Sequence, residues 1–293
     1  MRCVDSIVLQ PVDKMELILV DDGSTDGSSG LCDNIKRQYE DENCEIKVIH
    51  KENGGLSSAR NAGIAASTGE LITFVDADDY LGRNTYSKQM EFFECSDEVD
   101  VVEFPVAKFY NDFLKKELIT FTVDFYERPL DYLYETEAFG HAYACNKIFR
   151  REVLVSSPVK ESEGVFPLGK TFEDVGAMPK WLSRARRIVT TDGGFYFYTY
   201  NPDGICCTSG ARQYADHLEA LLNLMRWIPK NERKGKAYTK LFVNALNVRK
   251  DLRNADSAST AKIPAELAPS LSCIFGCNLK DAVKIIINKI RKE

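Results

Sequence analysis

Glu70-Leu71-Ile72-Thr73-Phe74-Val75-Asp76-Ala77-Asp78-Asp79-Tyr80 is an apolar run that stops at three carboxylates within four positions. Rich in β-branched and aromatic residues and bounded by Gly69 and the acids, it predicts a buried parallel strand. In an open α/β sheet, ligands bind beyond the carboxyl ends of the strands, so Asp76, Asp78 and Asp79 are expected in a crevice, not in the core. Carboxylates this crowded repel one another unless a cation or hydrogen-bond donors compensate. A hard divalent metal bridging to substrate phosphates answers that need. Acidic turns after strands also cap helices and accept local backbone bonds, so the weight of this one depends on the rest of the chain.

Working outward, the chain alternates strand and helix. Met1 to Gln10 reads as the end of a helix stopped by Pro11, and Met15 to Val20 as a strand running into Asp21-Asp22-Gly23-Ser24-Thr25-Asp26-Gly27. A helix over Ser28 to Tyr39, a strand over Glu45 to His50, a loop Lys51-Glu52-Asn53-Gly54-Gly55 and a small-residue helix from Leu56 to Ser67 follow. Beyond Tyr80 the pattern predicts a helix to Cys95, a strand at Asp100 to Phe104, and an irregular aromatic region to about 140 that suits a hairpin or an acceptor-facing insertion. Cys145 to Leu154 leads into a helix, Lys170 to Val175 opens another, and 187–190 and 194–198 are strands. From Ala211 onward the pattern is helical. This rhythm is that of a doubly wound α/β domain.

Composition narrows the function classes. The 293 residues suffice for one large or two small domains, and a net charge of −6 with a pI near 5.4 argues against a nucleic-acid-binding surface. Nine scattered cysteines, an odd number, with no signal-peptide-like start predict free thiols in a reducing cytosol. Cys273 and Cys277 lack a second pair, the three histidines are dispersed, and no apolar stretch is long enough to span a bilayer.

Three turns carry chemistry. Asp21-Asp22-Gly23-Ser24-Thr25-Asp26 offers carboxylates on a sharp turn, suited to bonding a base or ribose. Asp22, Ser24, Asp26, Gly27 and Asp33 also fit a calcium-loop spacing, but the strand ahead of them is not the entering helix such a loop needs. In Asn53-Gly54-Gly55-Leu56-Ser57-Ser58-Ala59-Arg60-Asn61, the glycines let backbone amides approach a ligand, the helix start favours an anion, and Arg60 can reach a base carbonyl or a phosphate. Glu173-Asp174 lies far along the chain, and two acids at a helix start usually just complement the helix dipole.

With these residues laid out, the chain resembles a family 2 glycosyltransferase of the GT-A fold, the bacterial group that builds capsule, lipopolysaccharide and teichoic-acid sugars. The resemblance rests on Leu19-Val20-Asp21-Asp22-Gly23-Ser24-Thr25-Asp26, on Asn53-Gly54-Gly55 with Ala59-Arg60-Asn61, on Phe74-Val75-Asp76-Ala77-Asp78-Asp79, and on Asn146-Lys147-Ile148-Phe149-Arg150-Arg151 followed by Glu173-Asp174. It covers Arg2 to about Ile205. It implies a Rossmann-like, mostly parallel sheet with helices on both faces and a helical C-terminal extension. Residues 1–104 would form the nucleotide-sugar-binding half, 105–205 the acceptor-side half and 206–293 the extension.

The resemblance also implies roles. Asp21 would contact the uracil of a UDP-sugar, with Asn53 and Arg60 completing a pocket that includes Asp22, Gly54 and Gly55. Asp76 and Ala77 would meet the ribose or sugar. Asp78 would be the principal ligand of Mn²⁺ or Mg²⁺, which bridges the diphosphate. Asp174 would be the general base of an inverting transfer to a glycan or lipid-linked acceptor, with Glu173 supporting the acceptor or orienting Asp174. The expected setting is cytoplasmic, with peripheral contact at the inner face of the plasma membrane open to the amphipathic stretch 279–293.

Two departures qualify the resemblance. Such enzymes begin with an apolar strand in the interior of the sheet, and this chain starts after it, which predicts unpaired ladder edges on two neighbouring strands. The family often carries an arginine after the aromatic strand, and Thr199 and Tyr200 stand there instead. The alternative expectation is therefore a truncated, inactive GT-A remnant or scaffold with weak nucleotide binding. A phosphatase-like reading of Asp76-Ala77-Asp78 is weakened by Tyr80, where that chemistry favours threonine.

Overall fold

The computed structural model describes residues 1–110, 115–155, 164–201 and 210–269. In chain order the elements are α1 (Arg2–Val8), β1 (Met15–Asp21), α2 (Ser28–Tyr39), β2 (Cys44–His50), α3 (Leu56–Ala66), β3 (Leu71–Thr73), β4 (Tyr80–Leu81), α4 (Thr85–Cys95), β5 (Val99–Glu103), β6 (Val106–Tyr110), β7 (Lys115–Ile119) and β8 (Asp124–Tyr126). They continue with α5 (Pro129–Glu135), β9 (Lys147–Arg150), α6 (Arg151–Leu154), α7 (Glu173–Leu182), β10 (Arg187–Thr190), β11 (Tyr196–Tyr198), α8 (Ala211–Trp227) and α9 (Gly235–Ala255).

Two compact units result. The first comprises 1–129, 143–169 and 180–202, the second 130–142, 170–179 and 203–293. In the first, β1 and β2 pair in parallel, from Met15 opposite Cys44 to Asp21 opposite His50. That register brings the turn after β1 and the loop after β2 to the same edge. The small residues of α3 let it pack on β1, where a Cβ on Gly63 would already touch Val20 at 3.6 Å. A second sheet runs β3-β9-β5-β10-β8 and a third β4-β11-β6-β7. Val99, Val101, Val102, Ile148, Val189 and Tyr196 fill the core between these layers and the helices.

The α/β class stands, with mixed pairing. The Glu70–Tyr80 stretch, expected as one parallel strand, holds a three-residue strand, β3, which runs antiparallel to β9. The acidic turn then leaves this ladder, its amides bonded elsewhere: Asp79 N–H donates to Asp76 O at 3.0 Å, and Asp76 N–H donates to the Tyr196 hydroxyl oxygen at 3.1 Å. Tyr80–Leu81 then joins the third sheet, antiparallel to β11. Similarly, the stretch expected to lead into a helix from Cys145 is first a strand, β9, wedged antiparallel between β3 and β5 and followed by the single turn of α6. Among the described residues β1 bonds only β2, and β3 bonds only β9, so each keeps a second edge without a strand partner. Glu16 ties the start of β1 to the approach of β3, its carboxylate accepting the amides of Thr68 and Gly69.

In the second unit α8 packs along α9, with Leu218, Leu221, Leu224, Met225, Tyr238, Leu241 and Phe242 buried. The lead-in to α7 is fixed within this unit. Asp216 of α8 accepts from Thr171 N–H at 3.2 Å and Lys170 Nζ at 3.0 Å, and Phe172, at φ 55, stacks on His217 with ring centroids 3.9 Å apart. The stretch 279–293 lies outside the described residues.

Candidate active site

The first motif turn is stitched into the scaffold by its own carboxylates. Asp21, at the end of β1, accepts Ser24 N–H at 2.9 Å on Oδ1, and the Ser29 hydroxyl and His50 Nδ1 on Oδ2. The Ser29 bond most of all, then His50 and Ser24, holds this carboxyl well below the usual carboxylate range. Each carboxylate oxygen has two lone pairs, so capacity remains on Oδ1 for one further donor.

Asp22 reaches across to the second motif. Its oxygens accept Gly54 N–H at 3.0 Å and Gly55 N–H at 2.6 Å, and Lys51 Nζ lies at 2.6 Å. Burial works to raise its pKa, but Lys51 and the two glycine amides outweigh it and the carboxyl sits below its ordinary range. The Gly54 and Gly55 amides, expected to approach a ligand, are thus spent on Asp22. Gly23, at φ +77, is needed where the two turns meet, because a Cβ there would lie 2.8 Å from Asn53 N. Asn53 itself is exposed.

Arg60 joins the second motif to the third. Its guanidinium bonds Asp76 Oδ1 at 3.1 Å and lies over the Phe166 ring at 5.3 Å, with 7% of the side chain exposed. Asn61 holds that lid in place, donating to Phe166 O at 2.8 Å and accepting Phe166 N–H at 3.1 Å. A Cβ on Gly164 would collide with Asn61 at 2.3 Å, so this approach requires glycine. Arg60 is therefore committed to Asp76, not presented as a free cation.

Within the acidic turn the three aspartates differ in kind. Asp79 is 1% exposed, accepts the Tyr196 hydroxyl at 2.7 Å and Thr199 N–H at 2.7 Å, and burial pushes its carboxyl up to about 7. It anchors the turn. Asp76 faces Arg60, while Ala77 and Asp78 are exposed, with Asp78 Oδ2 accepting from Asn201 at 3.1 Å.

Among the described residues no three His, Cys, Asp or Glu side chains form a metal cage. One exposed carboxylate does fit a divalent ion that takes its remaining ligands from phosphates and water. Glu173, buried, and Asp174, half-buried, stand in the first turn of α7 in the second unit.

A sequence model described as "Glycosyl transferase family 2" matches residues 1–156. The chain belongs to glycosyltransferase family 2. Relatives include the glycosyltransferase EpsJ of Bacillus subtilis (strain 168), named as uncharacterized, 31% identical over 211 residues, which are 70% of this chain and 58% of EpsJ. Glycosyltransferase GlyG of Streptococcus pneumoniae serotype 4 is 30% identical over 213 residues, 67% of this chain and 65% of GlyG. The match thus spans less than two thirds of either relative. A solved structure of Staphylococcus aureus TarS 1-349 in complex with UDP-GlcNAc superposes with a TM-score of 0.64 at 19% identity, covering 98% of this chain and 74% of that one. This likeness identifies the fold as GT-A.

Within this family 2 chain the sequence motifs located the turns but missed several residues that hold them. Tyr196 bonds Asp76 and Asp79 from 120 and 117 positions away, and Asn61 bonds Phe166, 105 positions on, over Arg60. The run Ala59-Arg60-Asn61 contained the signal for Asn61. Tyr196 carried none beyond its place in an aromatic strand.

Proposed function

We propose that the chain transfers a sugar from a nucleotide-sugar, UDP-linked, to a glycan or lipid-linked acceptor with inversion at the anomeric carbon. The observation that carries this reading is the side-chain stitching of three motif turns in one unit, Asp22 to Gly54 and Gly55 and Arg60 to Asp76, which leaves Asp78 exposed at the turn. The likeness to TarS, solved with UDP-GlcNAc, supports a uridine donor.

In this reading Asp21 receives a base N–H on its remaining lone pair, Asn53 flanks the base, and Asp76 and Ala77 meet the ribose or sugar, with Arg60 orienting Asp76. Asp78 would hold the Mn²⁺ or Mg²⁺. That ion, when bound, neutralises charge developing on the diphosphate leaving group. Asp174 takes the proton of the acceptor hydroxyl as its oxygen attacks the anomeric carbon, and Glu173 supports the acceptor or Asp174. The setting is cytoplasmic or at the inner face of the plasma membrane. Among the described residues no helix is long and apolar enough to cross a membrane.

Isothermal titration of UDP into the purified chain, with Mn²⁺ and then with EDTA, tests the donor site. Metal-dependent binding lost in Asp78→Ala is the expected result. The second reading, a scaffold with weak nucleotide binding, draws on the unpartnered edges of β1 and β3. Absence of UDP binding by the folded protein would favour it.

A further inference from the structure

We propose that Arg2 is a diphosphate-binding residue of the donor site, a role that rests on the nucleotide-sugar reading above. Arg2 opens α1, and its Nη2 donates to Thr199 Oγ1 at 3.1 Å and to the backbone oxygen of Asp78 at 3.4 Å. Its guanidinium carbon stands 4.3 Å from the centroid of the Tyr80 ring, which itself stacks on Phe197 at 4.8 Å. A rigid planar cation is thus fixed on the rim of the acidic turn by residues from β4, β11 and the segment after it.

The surroundings indicate what that cation is for. Three carboxylates lie within two positions of Asp78, yet Arg2 forms an ion pair with none of them among the described residues. Asp76 is paired with Arg60, Asp79 is buried against Tyr196 and Thr199, and Asp78 accepts from Asn201. Arg2 is exposed and, among the described residues, tethered through one nitrogen and its ring face, its other N–H groups making no hydrogen bond there. Guanidinium donors in a fixed fork match phosphate oxygens and form charge-assisted bonds with them. A diphosphate held at Asp78 through a divalent ion would lie beside this fork, where the guanidinium of Arg2 could donate to its oxygens.

The competing account gives Arg2 only a local task, lowering repulsion within the acidic turn and packing on Tyr80. The two accounts differ in how the effect of losing Arg2 depends on the number of phosphates. Uridine, UMP and UDP are titrated into the full chain with Mn²⁺ present, for the wild type, Arg2→Ala and Arg2→Lys, with circular dichroism confirming the fold of each.

The proposal expects Arg2→Ala to weaken UDP by about tenfold or more, to leave uridine unchanged, and to flatten the salt dependence of UDP binding, with Arg2→Lys intermediate. Equal UDP affinity in wild type and Arg2→Ala overturns the proposal while leaving the donor reading intact. An equal loss for uridine and UDP also overturns it and assigns Arg2 to packing. Failure of the wild type to bind UDP removes the donor reading and this proposal together.

Discussion

The ring of His50 lies between two carboxylates, with Nδ1 2.9 Å from Asp21 and Nε2 3.2 Å from Asp33. Both raise its pKa above the ordinary histidine value, Asp21 more than Asp33. A group that binds its proton more tightly when folded adds stability below its unfolded pKa of about 6.5, and that stability is lost as pH rises through the folded value. Asp21 works in the other direction. Its depressed folded pKa contributes above about pH 4 and is lost on acidification. Denaturation midpoints measured from about pH 6 to about pH 8.5 should therefore fall in the wild type and fall less in His50→Gln. Identical slopes would place the titrating group elsewhere. At this scale the sequence located Asp21, Asp22, Gly54, Gly55, Asp76 and Asp78 at strand ends and turns and Arg60 on the helix after the Gly54-Gly55 turn, because glycine, charge and strand ends are local signals. It could not say that Asp22 would take the glycine amides or that Arg60 would be spent on Asp76, since those partners are chosen by how distant turns approach.

Among the elements, β9 decides most and was least visible. Its short run begins with Lys147, a residue that local patterning sends to the surface, yet Lys147 and Glu103 are both 0% exposed. Lys147 Nζ bonds Glu103 Oε1 at 2.7 Å and Tyr143 O at 2.8 Å, and Asn146 donates to Glu103 and to Phe104 O. The pair locks β9 against β5, and Thr73 Oγ1 of β3 bonds Lys147 O at 2.9 Å just ahead of the acidic turn. Removing one partner leaves an uncompensated buried charge, so Lys147→Ala should cost about 3–5 kcal/mol in urea denaturation. Lys147→Met combined with Glu103→Gln should recover much of that. A double variant as unstable as the single one would mean that packing, not charge, dominates. By contrast α2 was legible to the residue, because Gly27 and the β1 turn mark its start and its apolar spacing is regular.

For the molecule as a whole, the division into two compact units, each with its own buried apolar residues, bears on how it unfolds. Domains with separate cores depart from a single cooperative transition. Calorimetry of the free chain should resolve two transitions. UDP with Mn²⁺ should move only the one belonging to the unit that carries Asp21, Arg60 and Asp78, by about 2.7 kcal/mol of stabilisation at a ligand concentration 100 times Kd. A single peak that shifts as one would show that the units melt together. The alternation of strands and helices made the α/β class readable from the sequence. The antiparallel insertions were not, because pairing direction depends on chain connections that local pattern does not encode.

Tyr196 carries one more consequence, for engineering. Its hydroxyl, with Thr199, sets the acidic turn from more than 115 positions downstream, and Arg2 touches the same turn from the first helix. A chimera that transplants the Asp76–Asp79 loop alone into a relative would import the carboxylates without the frame that aims them. Donor preference should travel between homologues only when 1–10, 70–81 and 195–201 are exchanged as a set.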